Sequence, residues 1–143
     1  MKNIHDLMHK FNNVDAGILL LRIALGIVFI FHGWAKIQGA AGMIPFFESM
    51  GITMFWFYIA SYTELLGGIA LILGIFARYA GMLLAFTMAV AIVKVHLAAG
   101  FSVQAGGYEY AFVLMLASAA LVATGAGKYS FAKKVPMVCT ECI

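Results

Sequence analysis

Four long apolar runs constrain the fold of this chain more than any other feature. They cover residues about 16–37, 52–77, 79–100 and 108–126, and a helix of roughly 20 residues crosses a bilayer core of about 30 Å. The chain is 64% hydrophobic and 10% charged, whereas soluble domains hold about 45 to 50% apolar and about 25% charged residues. A transmembrane β-barrel would show alternating segments instead of unbroken apolar runs. The sequence therefore predicts an all-α integral membrane protein, a four-helix bundle.

The positions of the basic residues predict its orientation. Six of the nine Lys and Arg residues precede the first run, lie in the turn between the second and third runs, or follow the fourth run: Lys2, Lys10, Arg78, Lys128, Lys133 and Lys134. The connection 101–107 contains no Lys or Arg. By the positive-inside bias, both termini are predicted to be cytoplasmic. The net charge of +3 is divided among short segments, so we interpret it as topology and not as nucleic-acid binding.

The chain divides into three predicted parts. Residues 1–14 form an amphipathic cytoplasmic lead-in, residues 15–127 the four-helix transmembrane domain, and residues 128–143 a basic cytoplasmic tail. A short segment around Phe46 is predicted to fold back onto the outer membrane face. Small residues four apart let helix backbones approach closely; these pairs are Ala70 and Gly74, Ala85 and Ala89, and Ala119 and Ala123.

A single carboxylate, Glu64, lies near the centre of the second apolar run. Placing an acidic side chain at mid-membrane costs roughly 2.5 to 3.5 kcal/mol on insertion scales. Glu64 therefore needs a partner or a proton. Four candidate partners lie in the neighbouring runs: Arg22, His32, Lys94 and His96.

Counting helical rise places most of these groups at one depth. His32, Glu64, Lys94 and His96 come out about 20 to 25 Å from the cytoplasmic side, and Arg22 about 10 Å. One interpretation is a Glu64–Lys94 pair that fixes helix register. The other is an outward-opening polar pocket for a small polar substrate or a quinone headgroup, in which a histidine moves protons near neutral pH.

The tail offers a weaker signal. Cys139 and Cys142 have the spacing of a redox dithiol or of half a zinc site. A stable disulfide is not expected there, because the predicted topology places the tail in the reducing cytoplasm. The sequence predicts no metal site, and these cysteines are weak candidates for one.

The ordered set of motifs resembles the DoxX family. It consists of Leu21-Arg22-Ile23 with Gly26, Phe31-His32-Gly33-Trp34-Ala35-Lys36, Glu64 with Gly67-Gly68 and Gly74, His96, Gly106-Gly107-Tyr108-Glu109, and Gly125-Ala126-Gly127-Lys128-Tyr129-Ser130. The resemblance implies a four-helix inner-membrane protein of bacteria or archaea. Relatives include the membrane subunit of a thiosulfate:quinone oxidoreductase and a component of a membrane-associated oxidoreductase complex. The family positions carried over are Arg22, Lys36, Glu64, His96 and Glu109.

The expected function is that of a membrane subunit of an oxidoreductase system, with a quinone or small sulfur substrate in the outer half of the bundle. The predicted catalytic residues are His32, Glu64, His96 and Glu109, and the predicted substrate-binding residues are Arg22, Lys36, Lys94 and Tyr108. Expected partners are the lipid bilayer, a soluble redox subunit and a second copy of the chain; nucleic acid is not among them. Two alternatives stay open: a non-catalytic anchor or assembly factor, and a small proton-coupled permease.

Overall fold

The computed structural model describes residues 13–131, and all regular structure in this range is helical. The elements are α1 (Val14–Gln38), α2 (Ala40–Ser49), α3 (Met54–Leu73), α4 (Ala77–Ala91) and α5 (Glu109–Thr124). A π-helical turn (Ile92–His96) and a 3-10 turn (Leu97–Ala99) continue α4, and a second 3-10 turn (Val103–Ala105) precedes α5. The predicted all-α class is confirmed. The predicted lead-in, apart from its last two residues, and the Cys139–Cys142 pair lie outside the described residues.

Three helical segments are long and apolar enough to cross a membrane. They are Val14–Gln38, Met54–Leu73 and Ala77–Ala99, and α5 is a shorter apolar helix of the same kind. Large apolar side chains on their outward faces are exposed in the isolated chain, for example Leu20 at 68%, Phe55 at 64% and Phe86 at 68%. In water such a large apolar surface would promote aggregation, whereas in a bilayer it contacts lipid tails. The chain is therefore a membrane protein.

Glycines bring α1 and α3 into close antiparallel contact. A Cβ at Gly26 would lie 2.8 Å from the Gly68 carbonyl oxygen, and a Cβ at Gly33 would lie 2.7 Å from the Ser61 carbonyl oxygen. Gly26 and Gly33 are seven residues apart, as are Ser61 and Gly68. Gly26 and Gly33 of α1 therefore face Gly68 and Ser61 of α3 along one line of backbone contact, which we call the glycine seam.

A second close contact joins α4 to α5, where a Cβ at Gly81 would lie 2.8 Å from the Ser118 carbonyl oxygen. Both of these approaches place a glycine of one helix against a backbone carbonyl of the other. Contact between α3 and α4 is less extensive than within either tight pair. This looser seam leaves room for a cavity.

The second predicted run, 52–77, ends earlier than expected. Gly74 adopts a left-handed conformation (φ 69°), and the N–H of Ile75 donates to the Ala70 carbonyl at 3.0 Å. This arrangement closes α3 as glycine caps commonly do. Phe76 is also left-handed (φ 52°), and α4 begins directly after it.

The predicted fold-back segment is a regular helix, α2. It packs its Phe47 ring against Phe57 of α3, with ring centroids 5.1 Å apart. We call the end of the bundle that carries α2 the Lys36 end. The opposite end, which holds the start of α1, the α3–α4 turn and residues 125–131, is called the Arg22 end.

Candidate functional site

Glu64 is completely buried on α3, and its partner is Lys36 of α1. Lys36 Nζ donates to Glu64 Oε1 at 2.5 Å. Helical side chains lean toward the N-terminus of their own helix, so on antiparallel α1 and α3 these two lean toward each other. The predicted Glu64–Lys94 pair is thus replaced by a Glu64–Lys36 pair, which the tight Gly33 contact makes geometrically available.

A cavity of about 500 Å³ opens beside this ion pair, between α3 and α4. Its walls are mostly apolar and include the rings of Phe47, Trp56, Phe57 and Phe86. Lys36, Glu64 and Lys94 also line it. A mainly apolar pocket with a few convergent polar groups is the usual form of a small-molecule site.

One carboxylate oxygen of Glu64 has no hydrogen-bond partner among the described residues. Oε1 is engaged by Lys36, but Oε2 is buried and unpaired. Buried polar atoms are normally hydrogen-bonded, so an orphan in a native structure calls for an explanation. Glu64 is among the residues that line the cavity, so a ligand bound there would lie beside this carboxylate.

Lys94 lies on the π-helical turn, where its exposed side chain lines the same cavity. No interaction joins it to Glu64 among the contacts of the described residues. The cavity therefore carries two lysines and one carboxylate. π-turns are wider than α-turns and are frequent at functional sites.

His96, two residues farther on, points away to the connection between α4 and α5. Its Nδ1 lies 2.8 Å from the Gly106 carbonyl oxygen; because a carbonyl only accepts, Nδ1 carries the proton. Gly106 is left-handed (φ 81°), and a Cβ at Gly107 would collide with the Gly100 carbonyl. His96 thus fastens this connection and does not line the cavity.

Glu109 belongs to the same connection. Its Oε2 accepts from the N–H of Val103 at 3.1 Å and so caps the short turn Val103–Ala105. The half-buried ring of Tyr108 packs against Phe101, with ring centroids 5.4 Å apart. Neither Tyr108 nor Glu109 lines the cavity.

His32 is exposed on α1, and its ring lies 5.9 Å from that of Tyr110 on α5. It too is absent from the cavity lining. Of the predicted site residues, Lys36, Glu64 and Lys94 line the cavity. The structure does not bring His32, His96 or Glu109 to them.

Arg22 is buried at the other end of the bundle and bonds only backbone carbonyls among the described residues. Its guanidinium donates to Leu71 at 2.8 Å and Ile72 at 3.0 Å, in the last turn of α3. It also donates to Ala126 at 2.5 Å and Tyr129 at 2.7 Å. Arg22 therefore ties α1 to the last turn of α3, whose carbonyls carry partial negative charge, and to residues 126–129 that follow α5.

Sequence reasoning missed two features of the site. It did not identify Lys36 as the partner of Glu64, and it did not foresee the aromatic wall that contains Trp56. Gly26 and Gly33 at a seven-residue spacing, matched by Ser61 and Gly68, were the available signal for α1–α3 contact. That contact would have placed Lys36 near Glu64.

Comparison with known proteins places the chain in a family. The sequence profile of the DoxX family matches residues 17–97, more than half of the chain. The chain belongs to the DoxX family. The expected resemblance is confirmed, and the DoxX match contains all three charged residues of the cavity, Lys36, Glu64 and Lys94.

Two curated proteins are similar to the chain. The chain is 40% identical over 111 residues to the Bacillus subtilis protein named "Putative oxidoreductase CatD", covering 78% of this chain and 81% of CatD. It is 39% identical over 64 residues to the Escherichia coli protein named "Inner membrane protein YqjF", covering 45% of this chain and 49% of YqjF. No solved structure matches the chain significantly.

Proposed function

We propose that this DoxX protein is the membrane subunit of an oxidoreductase system and that its cavity binds a quinone headgroup. The observation that carries the proposal is the buried, unpartnered Oε2 of Glu64 beside an apolar cavity. A buried anionic oxygen without a donor is costly, and a ligand O–H, which the reduced form of a quinone carries, would supply the missing hydrogen bond. The relative CatD is named an oxidoreductase, which is consistent with a redox function.

The proposal includes a membrane arrangement. α5 rises about 24 Å at 1.5 Å per residue, enough with its flanking turns to serve as a fourth crossing, and the resulting bundle has both termini in the cytoplasm. The Arg22 end then faces the cytoplasm and the cavity lies in the outer half. The E. coli relative is named an inner membrane protein, which supports this location.

A quinone suits the cavity better than a small sulfur anion. The walls are mainly aromatic and aliphatic, and a planar ring gains more from them than a compact hydrated anion does. Lys36 and Lys94 would hold the ligand's oxygens by donating to them, and Glu64 would accept from a ligand hydroxyl. A bound quinone supplies two-electron, two-proton redox chemistry. The looser α3–α4 seam gives it a lateral path from the bilayer.

Tryptophan fluorescence gives a direct test, because Trp56 lines the cavity and Trp34 does not. The chain has two tryptophans, so in the Trp34→Phe variant all tryptophan fluorescence comes from Trp56. Titration with duroquinone in lipid nanodiscs should quench Trp56 saturably. The matched variant Trp56→Phe, which keeps Trp34, should show only the linear quenching of a quinone dissolved in lipid.

A blocking variant separates the cavity from the lipid phase. Ala60 lines the cavity, and Phe at this position should fill it and remove saturable quenching in the Trp34→Phe background. Saturable quenching that survives Ala60→Phe, or none in the parent, would contradict the proposal. Proton-coupled uptake of a solute by liposomes, abolished by Glu64→Gln, would favour the permease alternative instead.

A further inference from the structure

We infer that the cavity binds the reduced hydroquinone more tightly than the quinone, and that Glu64 Oε2 is the atom that tells them apart. This inference rests on the proposed function, since it takes the ligand to be a quinone. It adds a redox preference that follows from the hydrogen-bonding capacity of a single buried oxygen.

We take Glu64 to be a carboxylate, the form that makes an ion pair with the ammonium of Lys36, 2.5 Å from Oε1. Oε2 of an ionised carboxylate can only accept. It is buried and without a donor among the described residues, so it favours a ligand that presents an O–H.

The lysines do not make this distinction. The ammonium groups of Lys36 and Lys94 have only donors, and both a quinone carbonyl and a hydroquinone hydroxyl oxygen can accept from them. Oε2 is different, because a carbonyl oxygen facing it brings lone pairs against a negative charge. A hydroxyl there forms a charge-assisted hydrogen bond.

Hydrogen bonds to charged groups are strong enough to give a preference of about tenfold or more. A ligand bound more tightly when reduced is also easier to reduce while bound. For a two-electron couple, each tenfold preference raises the midpoint potential by about 30 mV. The cavity would therefore make its quinone a better electron acceptor than quinone free in the bilayer.

The test compares duroquinone with duroquinol on the full chain in nanodiscs, by anaerobic equilibrium dialysis. Duroquinol should bind with a dissociation constant at least about tenfold lower. Glu64→Gln should remove this preference, because the carboxamide can donate to a carbonyl. Glu48→Gln is the matched control: Glu48 is exposed on α2 and does not line the cavity, so the preference should persist.

The outcomes separate the two proposals. Equal affinity of the parent for both forms, or an unchanged preference in Glu64→Gln, would overturn the inference and leave quinone binding intact. Failure of both forms to bind would overturn the proposed function itself. If Glu64→Gln does not fold, the double variant Lys36→Gln with Glu64→Gln keeps a neutral hydrogen-bonded pair, and it too must lose the preference.

Discussion

Each end of the bundle buries one charged side chain, but the two side chains differ in how many of their polar atoms are hydrogen-bonded. Arg22 is 1% exposed and Glu64 is 0% exposed. The guanidinium makes four hydrogen bonds to carbonyls of α3 and residues 126–129, whereas the carboxylate makes one bond and leaves one oxygen unpaired. Bonds from all three guanidinium nitrogens mark Arg22 as part of the scaffold, and the unpaired oxygen of Glu64 marks a place where a ligand could bind.

The surroundings of the two charges reinforce this contrast. Gly74 lies so close to the Arg22 guanidinium that a Cβ at this position would collide with it. The Arg22 end is therefore tightly packed around the guanidinium. Glu64 instead borders about 500 Å³ of open volume. We therefore expect mutations at the Arg22 end to change mainly stability and mutations at Glu64 to change mainly ligand binding.

The largest expected effect is at Arg22. Arg22→Met should lower the free energy of unfolding by about 3 to 5 kcal/mol, because it removes four hydrogen bonds from a buried guanidinium to carbonyls. Unfolding by SDS titration in mixed micelles measures this. The matched variant Arg78→Met also removes an arginine that bonds carbonyls, those of Val122 and Ala123, but at a partly exposed site, and should lose about 1 kcal/mol. If Arg22→Met and Arg78→Met lost equal amounts of unfolding free energy, Arg22 would have no special structural role.

Gly33→Ala should come next, with a loss of about 1 to 3 kcal/mol from overpacking. A Cβ there would lie 2.6 Å from the Leu65 nitrogen, so α1 and α3 must separate. Gly17→Ala on the same helix meets nothing within 4 Å and should be neutral or stabilising by up to about 1 kcal/mol. The same titration compares them, and a harmless Gly33→Ala would show that the seam is not tight.

Glu64→Gln should destabilise by only about 1 kcal/mol while changing ligand binding. The amide oxygen still accepts from Lys36, and the Lys36 side chain is 22% exposed, so its charge keeps some access to solvent. A loss as large as that of Arg22→Met would mean that the ion pair is scaffold, and the contrast between the two ends would fail.

The smallest effect is expected at Glu109. Glu109→Ala removes the cap on the Val103 N–H and should cost about 0.5 to 1 kcal/mol, with duroquinone affinity unchanged within about twofold. Gln104→Ala, an exposed change in the same connection, is the control and should have no effect on either quantity. A marked loss of quinone affinity in Glu109→Ala would restore the predicted catalytic role of Glu109.

The DoxX motifs fall into structural units that one sequence could not separate. Arg22 and Gly74 share the Arg22 end, Lys36 and Glu64 share the cavity, and His96 and Glu109 share the connection before α5. Sequence reasoning grouped them by depth alone. Depth follows from counting residues along a helix, but the direction of each side chain around the helix axis depends on which helices are neighbours.

Helix limits were predictable where the chain carries clear stop signals. The predicted run 16–37 agrees closely with Val14–Gln38, and 108–126 with Glu109–Thr124. The run 52–77 was too long, although Gly74 offered a recognisable cap. The π-turn Ile92–His96 had no such signal, because it depends on how α4 meets its surroundings.

The sequence by itself determined that this is an all-helical membrane protein with a buried carboxylate in need of a partner, because apolar length and desolvation energy are properties of the residues alone. The tertiary structure decided that the partner is Lys36 and that Lys94 lines the same cavity. The physical reason is the glycine seam between α1 and α3, whose backbone contact sets which side chains on different helices can reach each other.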